Sequence, residues 1–306
     1  MPPEAPPNFL LSNEVIQAAK LNLPVVALES AVITHGLPYP DNVNLATGLE
    51  DLVRSNGCVP ATIALLDGRI NVGLSPADLE RLATESRVRK ISRRDMGIAL
   101  AHHENGGTTV AGTLIIAKRM GFKVFATGGI GGVHRNAPFD ISADLPELGR
   151  SPLVVVCAGA KAILDLPNTL EYLETMGVPV IGYQTDDFPA FYSRTSGLKV
   201  TASASSPDDV ARIARSHWEM GLESAILVCV PPPETDALPT AEMDKVIDQA
   251  VQDAERQKIH GAALTPFLLN RVSQLTHGDS LRANLALLLN NAAVAAQIAV
   301  QLGGKG

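Results

Sequence analysis

Apolar and polar positions alternate along this chain in blocks rather than residue by residue. Short aliphatic runs end at glycine, proline or a polar residue, and most are followed by a stretch with helical spacing. The first candidate helix, Asn13–Lys20, leads into the apolar run Pro24–Leu28. A second helix is predicted from Asp41, read as its N-cap, to near Gly57. Ala61–Leu66 and Ile70–Gly73 flank Asp67-Gly68, which predicts a hairpin, and Ser75-Pro76 opens the next helix with proline in its first turn. Further strands are predicted at Val88–Ser92, Lys123–Thr127, Pro152–Cys157, Pro179–Tyr183 and Ala225–Val230, with helices at Thr109–Arg119, Leu166–Met176 and Asp208–Met220. After Pro239 the pattern is helical nearly to the end. The succession predicts an α/β fold with one hairpin and a helical C-terminal section. No repeat or low-complexity linker interrupts it, so residues 1–306 are read as one domain.

Composition narrows the picture. Hydrophobic residues make up 46% of the 306 positions and charged residues 19%, which is the balance of a folded chain. The apolar content is aliphatic, with one Trp, four Tyr and seven Phe, and this suits parallel strands covered on both faces. A net charge of −7 argues against nucleic acid as a partner but leaves room for a small anionic substrate, which needs only a few local donors. Cys58, Cys157 and Cys229 are odd in number and sit in apolar runs, so they read as reduced core residues. The proline-rich start lacks the apolar stretch of a secretory signal. Leu285 to Leu302 is broken by Asn290, Asn291 and Gln297 and reads as a buried helix, so the expectation is a cytoplasmic protein with no membrane partner.

Four segments place polar or glycine residues where strands end, which is where open α/β sheets bind ligands. Glu29 closes the first apolar run and is followed by Thr34-His35-Gly36. It is either a solvated strand-end carboxylate or a partly desolvated general acid. Arg89, Lys90, Arg93 and Arg94 gather four cations within six residues, either as exposed surface charge or as a local anion site. Thr127-Gly-Gly-Ile-Gly-Gly-Val-His134-Arg135 can turn backbone amides toward an anion and matches no nucleotide-binding pattern. Beyond it, Ser142 is placed to cap a helix starting at Ala143-Asp144, while Asp140 and Asp144 are hard oxygen donors for Mg²⁺ or Mn²⁺. A flexible loop with an acidic cap is the alternative. Lys161 follows Cys157-Ala-Gly-Ala, either snorkelling to the surface or held by small apolar neighbours as an amine that can form an imine. His102-His103-Glu104 reads as solvated, since adjacent histidines do not share a helix face.

Taken together these segments resemble the pseudouridine-5′-phosphate glycosidase family, also called indigoidine synthase A-like proteins. The resemblance spans nearly the whole chain. It rests on Ala27-Leu-Glu29-Ser30, Ser92-Arg-Arg-Asp95, the 127–135 glycine segment, Phe139-Asp-Ile-Ser-Ala-Asp-Leu145, Gly159-Ala-Lys161-Ala-Ile-Leu-Asp165, Phe188-Pro-Ala-Phe-Tyr-Ser-Arg194, and Asn284 ahead of Asn290-Asn291. It implies a three-layer α/β/α sandwich with a mixed, mostly parallel sheet, assembled as a homotrimer. It also implies reversible cleavage of pseudouridine 5′-phosphate to uracil and ribose 5-phosphate.

In that reading Lys161 is the nucleophile that forms an imine-type adduct with ring-opened ribose, and Glu29 protonates the uracil carbon. Lys90, Val110, Ser142, Ala143 and Asp144 match substrate-binding positions, and Asp140 the Mn²⁺ position, where Mg²⁺ is also acceptable. Thr127 and His134 are expected at the ribose phosphate and Asn284 at the uracil edge. Two departures stand out. The loop Asn136-Ala137-Pro138 is about two residues shorter than the family pattern, and Val230 precedes Pro231 where relatives tend to carry Asn. Two other functions fit the same residues: a relative that joins ribose 5-phosphate to a different aromatic acceptor, and a non-catalytic sugar-phosphate sensor.

Overall fold

In the computed structural model, residues 7–135, 137–259 and 264–303 are described. The predicted apolar runs form strands, and the largest sheet has eleven of them. In chain order the strands are β1 (Phe9–Leu11), β2 (Val25–Leu28), β3 (Val59–Leu66), β4 (Arg69–Val72), β5 (Arg89–Ile91), β6 (Gly106–Thr108) and β7 (Val124–Ala126). They continue with β8 (Val133–His134), β9 (Ala137–Ile141), β10 (Val154–Cys157), β11 (Leu164–Asp165), β12 (Val180–Tyr183), β13 (Ala202–Ala204) and β14 (Ile226–Cys229). The main path runs β1-β4-β3-β2-β7-β10-β14-β12-β13, with β6 pairing β3 and β5 pairing β6. From β3 to β13 every pair on that path is parallel. The strands β7, β10 and β14 are buried at every position, as a parallel sheet with helices packed on its faces requires. The architecture is an α/β/α sandwich with a mixed, mostly parallel sheet.

The hairpin forms as predicted. β3 and β4 are antiparallel, and Asp67 and Gly68 both have positive φ, the turn geometry that Asp-Gly favours. Ser75 makes a full capping box with Asp78. The helix Asp41–Ser55 begins one position earlier than expected, with Asp41 as its first residue and Pro40 at the cap. Three features carried no readable signal. β6 is Gly-Gly-Thr and lacks any apolar alternation; a Cβ on Gly107 would lie 2.2 Å from the Thr34 hydroxyl, so close packing demands glycine there. β1 and β13 are edge strands of three residues each. The glycine segment, expected as a loop, continues into a small antiparallel sheet, β11-β8-β9.

The C-terminal section contains the helices Thr240–Arg256, Leu264–Leu275 and Asp279–Gly303. The last is long and apolar enough to cross a membrane by length and composition alone. It is instead a core helix: Ala283, Leu287, Asn291, Ala295 and Ile298 are fully buried, and it packs across β7 and β10. All three cysteines are buried free thiols, with Cys157 and Cys229 register partners on β10 and β14.

Candidate active site

The parallel register brings three strand ends to one edge. Leu28 on β2 faces Ala126 on β7, and Ala126 faces Val156 on β10. The residues that follow must therefore emerge side by side: Glu29, then Thr127, then the turn from Ala158 to Lys161. Backbone bonds prolong the pairing beyond the strands. Ala158 N–H donates to Gly128 O at 2.9 Å, Ile130 N–H to Gly159 O at 3.1 Å, and Lys161 N–H to Ile130 O at 3.1 Å. Gly159 has a φ of +86° and a Cβ there would lie 2.5 Å from Pro189 O, so the turn into Lys161 needs glycine.

Glu29 and Lys161 are half-buried, and their charges act on one another. Burial raises the Glu29 carboxyl above the ordinary carboxylate range. Lys161, the Thr127 hydroxyl and Lys90 oppose that shift, and Asp144 reinforces it. The Thr127 hydroxyl donates a short hydrogen bond to Glu29 Oε1. Lys90, reaching in from β5, has its ammonium disfavoured by burial first and then by Lys161, with Asp144 and Glu29 acting the other way. Five side chains from five segments of the chain thus share one electrostatic neighbourhood.

Asp144 corrects the expectation of a metal donor. It is buried, and both its oxygens are spent on backbone amides: Oδ1 accepts from Ala111 N–H and Oδ2 from Gly131 N–H, each at 2.8 Å. It ties the start of the helix Val110–Met120 to the glycine segment. Within the glycine segment the Ile130, Gly131 and Val133 N–H groups are engaged inside the protein, so of its amides these three are not offered to an anion. The helix expected after Ser142 begins at Asp144, with Ala143 at its cap position. Asp144–Leu148 is one turn, and Ser142 Oγ accepts from Asp144 N–H at 3.2 Å.

The cluster of four cations also resolves differently from an anion site. Arg93 makes a two-pronged pair with the buried Glu147 at 2.7 and 2.8 Å, and Arg89 pairs with Glu104. Arg94 is exposed beside Asp95. Only Lys90 turns to the site. His102 and His103 are exposed, as expected.

The remaining predicted residues lie around this centre. Val110 is buried as the first residue of its helix, beside the Ala111 amide held by Asp144. His134 is half-buried on β8, paired in register with Leu164 just beyond the Lys161 turn. Asn284 is half-buried, seven residues before Asn291 and on the same helix. Ala143 and Asp140 are exposed on the single turn and on β9. Among the described residues, no three His, Cys, Asp or Glu side chains converge as a metal cage. A divalent ion here would have Asp140 as its lone carboxylate and fill its shell with water and substrate oxygens, the mode Mg²⁺ and Mn²⁺ accept. In the loop expected to be short, Asn136 lies outside the described residues and Ala137 pairs in register with His134. Val230 is buried, and its N–H donates to Cys157 O at 2.8 Å, which extends the β10–β14 pairing by one residue.

Two residues had no assigned role in the sequence. Arg135 donates to Leu164 O and Ala162 O, both at 3.2 Å, and pairs with Asp248 at 3.1 Å, so it pins the turn that carries Lys161. Asn291, fully buried, donates to Thr127 O and Gly128 O. Neither contact has a local sequence signature, because each partner is distant along the chain. Two clefts of about 560 Å³ lie elsewhere: one along the helix Thr240–Arg256 and one beside the Asp67-Gly68 hairpin. Neither is lined by Glu29, Lys90 or Lys161.

Known proteins resemble this chain over almost its whole length. The family model described as indigoidine synthase A like protein matches residues 14–301. A pseudouridine-5′-phosphate glycosidase of Caldanaerobacter subterraneus subsp. tengcongensis is 53% identical over 294 residues, 95% of this chain and 96% of the relative. One from Geobacillus kaustophilus is 52% identical over 296 residues, covering 96% and 98%. Among solved structures, the prealnumycin C-glycosynthase AlnA in complex with ribulose 5-phosphate aligns with a TM-score of 0.91 at 39% identity, over 98% of each chain. An indigoidine synthase A-like protein of Thermotoga maritima aligns with a TM-score of 0.89 at 35% identity, over 96% of each.

Proposed function

The chain belongs to the indigoidine synthase A-like family, and from that premise we propose that it is an enzyme that cleaves the C–C glycosidic bond of pseudouridine 5′-phosphate reversibly. The products are uracil and ribose 5-phosphate. The observation that carries the reading is the coupling of the Glu29 carboxyl, which burial raises, to the amine of Lys161 at the ends of the two strands that flank β7. A carbon leaving group must be protonated on carbon, and the sugar carbon it leaves must find another electron source. One acid and one amine supply those two needs.

The steps balance as follows. Opening of the ribose ring breaks C1′–O4′, with a proton added to O4′. The amine of Lys161 adds to C1′ and gives up a proton, which balances the proton taken by O4′ and leaves the nitrogen a lone pair. Glu29 gives its proton to uracil C5, the C5–C1′ bond breaks toward the uracil ring, and the lysine nitrogen lone pair forms the C1′=N bond. Uracil leaves neutral, water hydrolyses the protonated imine to ribose 5-phosphate and the amine, and the proton released returns to the Glu29 carboxylate. Lys90 supplies positive charge to the substrate, with Ser142, Ala143, the Val110 backbone and His134 as further sugar-phosphate contacts. Thr127 orients Glu29, and Asn284 meets the uracil edge. Asp144 acts by holding the Ala111 and Gly131 amides in place. Asp140 would hold a Mn²⁺ or Mg²⁺ ion, which when bound supplies charge neutralisation for the phosphate. The same reading takes the enzyme as a cytoplasmic homotrimer, which light scattering on the purified chain tests.

Incubation with pseudouridine 5′-phosphate, with uracil followed by chromatography, tests the activity; absence of uracil release overturns it. A second reading rests on the likeness to the C-glycosynthase structure and on the buried Val230. In it, ribose 5-phosphate is joined to another aromatic acceptor. A panel of acceptors with ribose 5-phosphate discriminates: uracil as the preferred acceptor removes this second reading.

A further inference from the structure

The buried face of the helix Asp279–Gly303 holds one wholly enclosed polar side chain. Asn291 has no exposed surface. Its Nδ2 donates to Thr127 O at 2.9 Å and to Gly128 O at 3.3 Å, while its Oδ1 is buried without a hydrogen-bond partner among the described residues. The carboxamide can face only this way, because turning it would set an oxygen against two carbonyl oxygens. An apolar side chain here would remove the unpaired Oδ1 but leave the buried Thr127 O without the donor that Asn291 supplies, so what asparagine adds at this position is its hold on the end of β7.

What the two donated bonds hold is the end of β7. Thr127 N–H donates to Val156 O at 3.0 Å, and Gly128 O also accepts from Ala158 N–H. Gly128 is packed against the same helix, where an added Cβ would lie 3.1 Å from Leu288. The peptide that Asn291 fixes therefore sits between the Glu29 strand and the Lys161 strand, and its side chain is the hydroxyl bonded to Glu29.

We propose that Asn291 is a positioning residue for the proton donor: by holding the Thr127 and Gly128 carbonyls it fixes the Thr127 hydroxyl against Glu29, and so aims the carboxyl. The inference rests on the reading of Glu29 as the acid. The groups that face this carboxyl are Lys161, Lys90, Asp144 and the Thr127 hydroxyl. Of these, the hydroxyl and the two lysines favour the carboxylate, so loosening the hydroxyl pushes the carboxyl further up. An acid catalyst works only while protonated, so the alkaline fall of kcat should then move to higher pH.

The experiment compares the full-length wild type with N291L, T127V, the double variant N291L/T127V and E29Q, measuring kcat and KM for pseudouridine 5′-phosphate across pH. N291L is expected to lower kcat roughly tenfold to a hundredfold, since a misaimed acid loses orientation. KM should stay near the wild-type value, and the alkaline limb should shift upward as it does in T127V. The double variant should be no slower than T127V alone, because both changes break one connection. Losses that multiply, or a slowed N291L whose alkaline limb stays in place, overturn the proposal. If N291L fails to fold, N291S takes its place; its single hydroxyl donor should give a smaller loss and a smaller shift, and an unshifted limb counts against the idea. E29Q keeps the two levels apart: wild-type turnover there removes Glu29 as the acid, whereas an inactive E29Q beside an unshifted N291L removes only the role of Asn291.

Discussion

The Thr127 hydroxyl donates to the Glu29 carboxyl across two adjacent parallel strands, although the residues are 98 positions apart in the sequence. This bond links the proposed acid to the strand that also registers the Lys161 turn. It lowers the carboxyl's affinity for its proton, while burial raises it by more. The outcome is a carboxyl above its ordinary range, the direction that suits a proton donor.

Replacing Lys161 should remove covalent chemistry without removing the fold. Lys161→Ala is expected to lose turnover by on the order of a thousandfold or more, as when other covalent nucleophiles are deleted. Borohydride with ribose 5-phosphate should add mass to wild-type Lys161 and none to the variant. Adduct formation at a different residue, or retained turnover, removes Lys161 from the mechanism.

Glu29→Gln should bind ribose 5-phosphate and release uracil about a hundredfold to ten-thousandfold more slowly, the range of a lost general acid. Its stability should change in a defined direction. A carboxyl whose folded pKa lies above its unfolded value adds stability below the unfolded pKa and loses it as pH rises through the folded one. Toward neutral pH the wild type therefore loses the stability that burying this carboxyl in its protonated form supplies in acid. The glutamine variant should melt at a higher temperature there, and that advantage should vanish in acid. A variant that melts lower at neutral pH contradicts the buried-acid account.

Asp144→Asn tests the assignment of this residue to the framework rather than to a metal. Its two oxygens each accept a backbone N–H, and a carboxamide offers only one acceptor while turning its NH₂ against the other amide. A loss of about 1–3 kcal/mol in unfolding free energy is expected, with the same loss in chelator. A metal-bound Asp144 would instead show its effect only when the ion is present.

Chelation addresses Asp140. A stripped enzyme should lose activity and recover it with Mn²⁺, and Asp140→Asn should weaken the response to added metal while leaving thermal stability nearly unchanged, since Asp140 is exposed. Full activity in the stripped enzyme discards the ion from the reading.

Much of this molecule was determined locally. The aliphatic runs that became β2, β7, β10, β12 and β14, the Asp67-Gly68 turn and the Ser75 cap were all legible, because burial, left-handed φ and capping depend on residues within a few positions. Glu29, Lys90 and Lys161 were identifiable as candidates from the strands they follow or occupy and from the family resemblance. Only the tertiary structure decided their company. It withdrew Arg89, Arg93 and Arg94 to ion pairs, assigned Asp144 to two amides, and brought Asn291 beneath Thr127. The physical reason is one of range. A strand or a cap is stabilised by neighbours in sequence, whereas a carboxyl's proton affinity and a side chain's partner are fixed by whatever charge and donor the sheet register delivers from a hundred residues away.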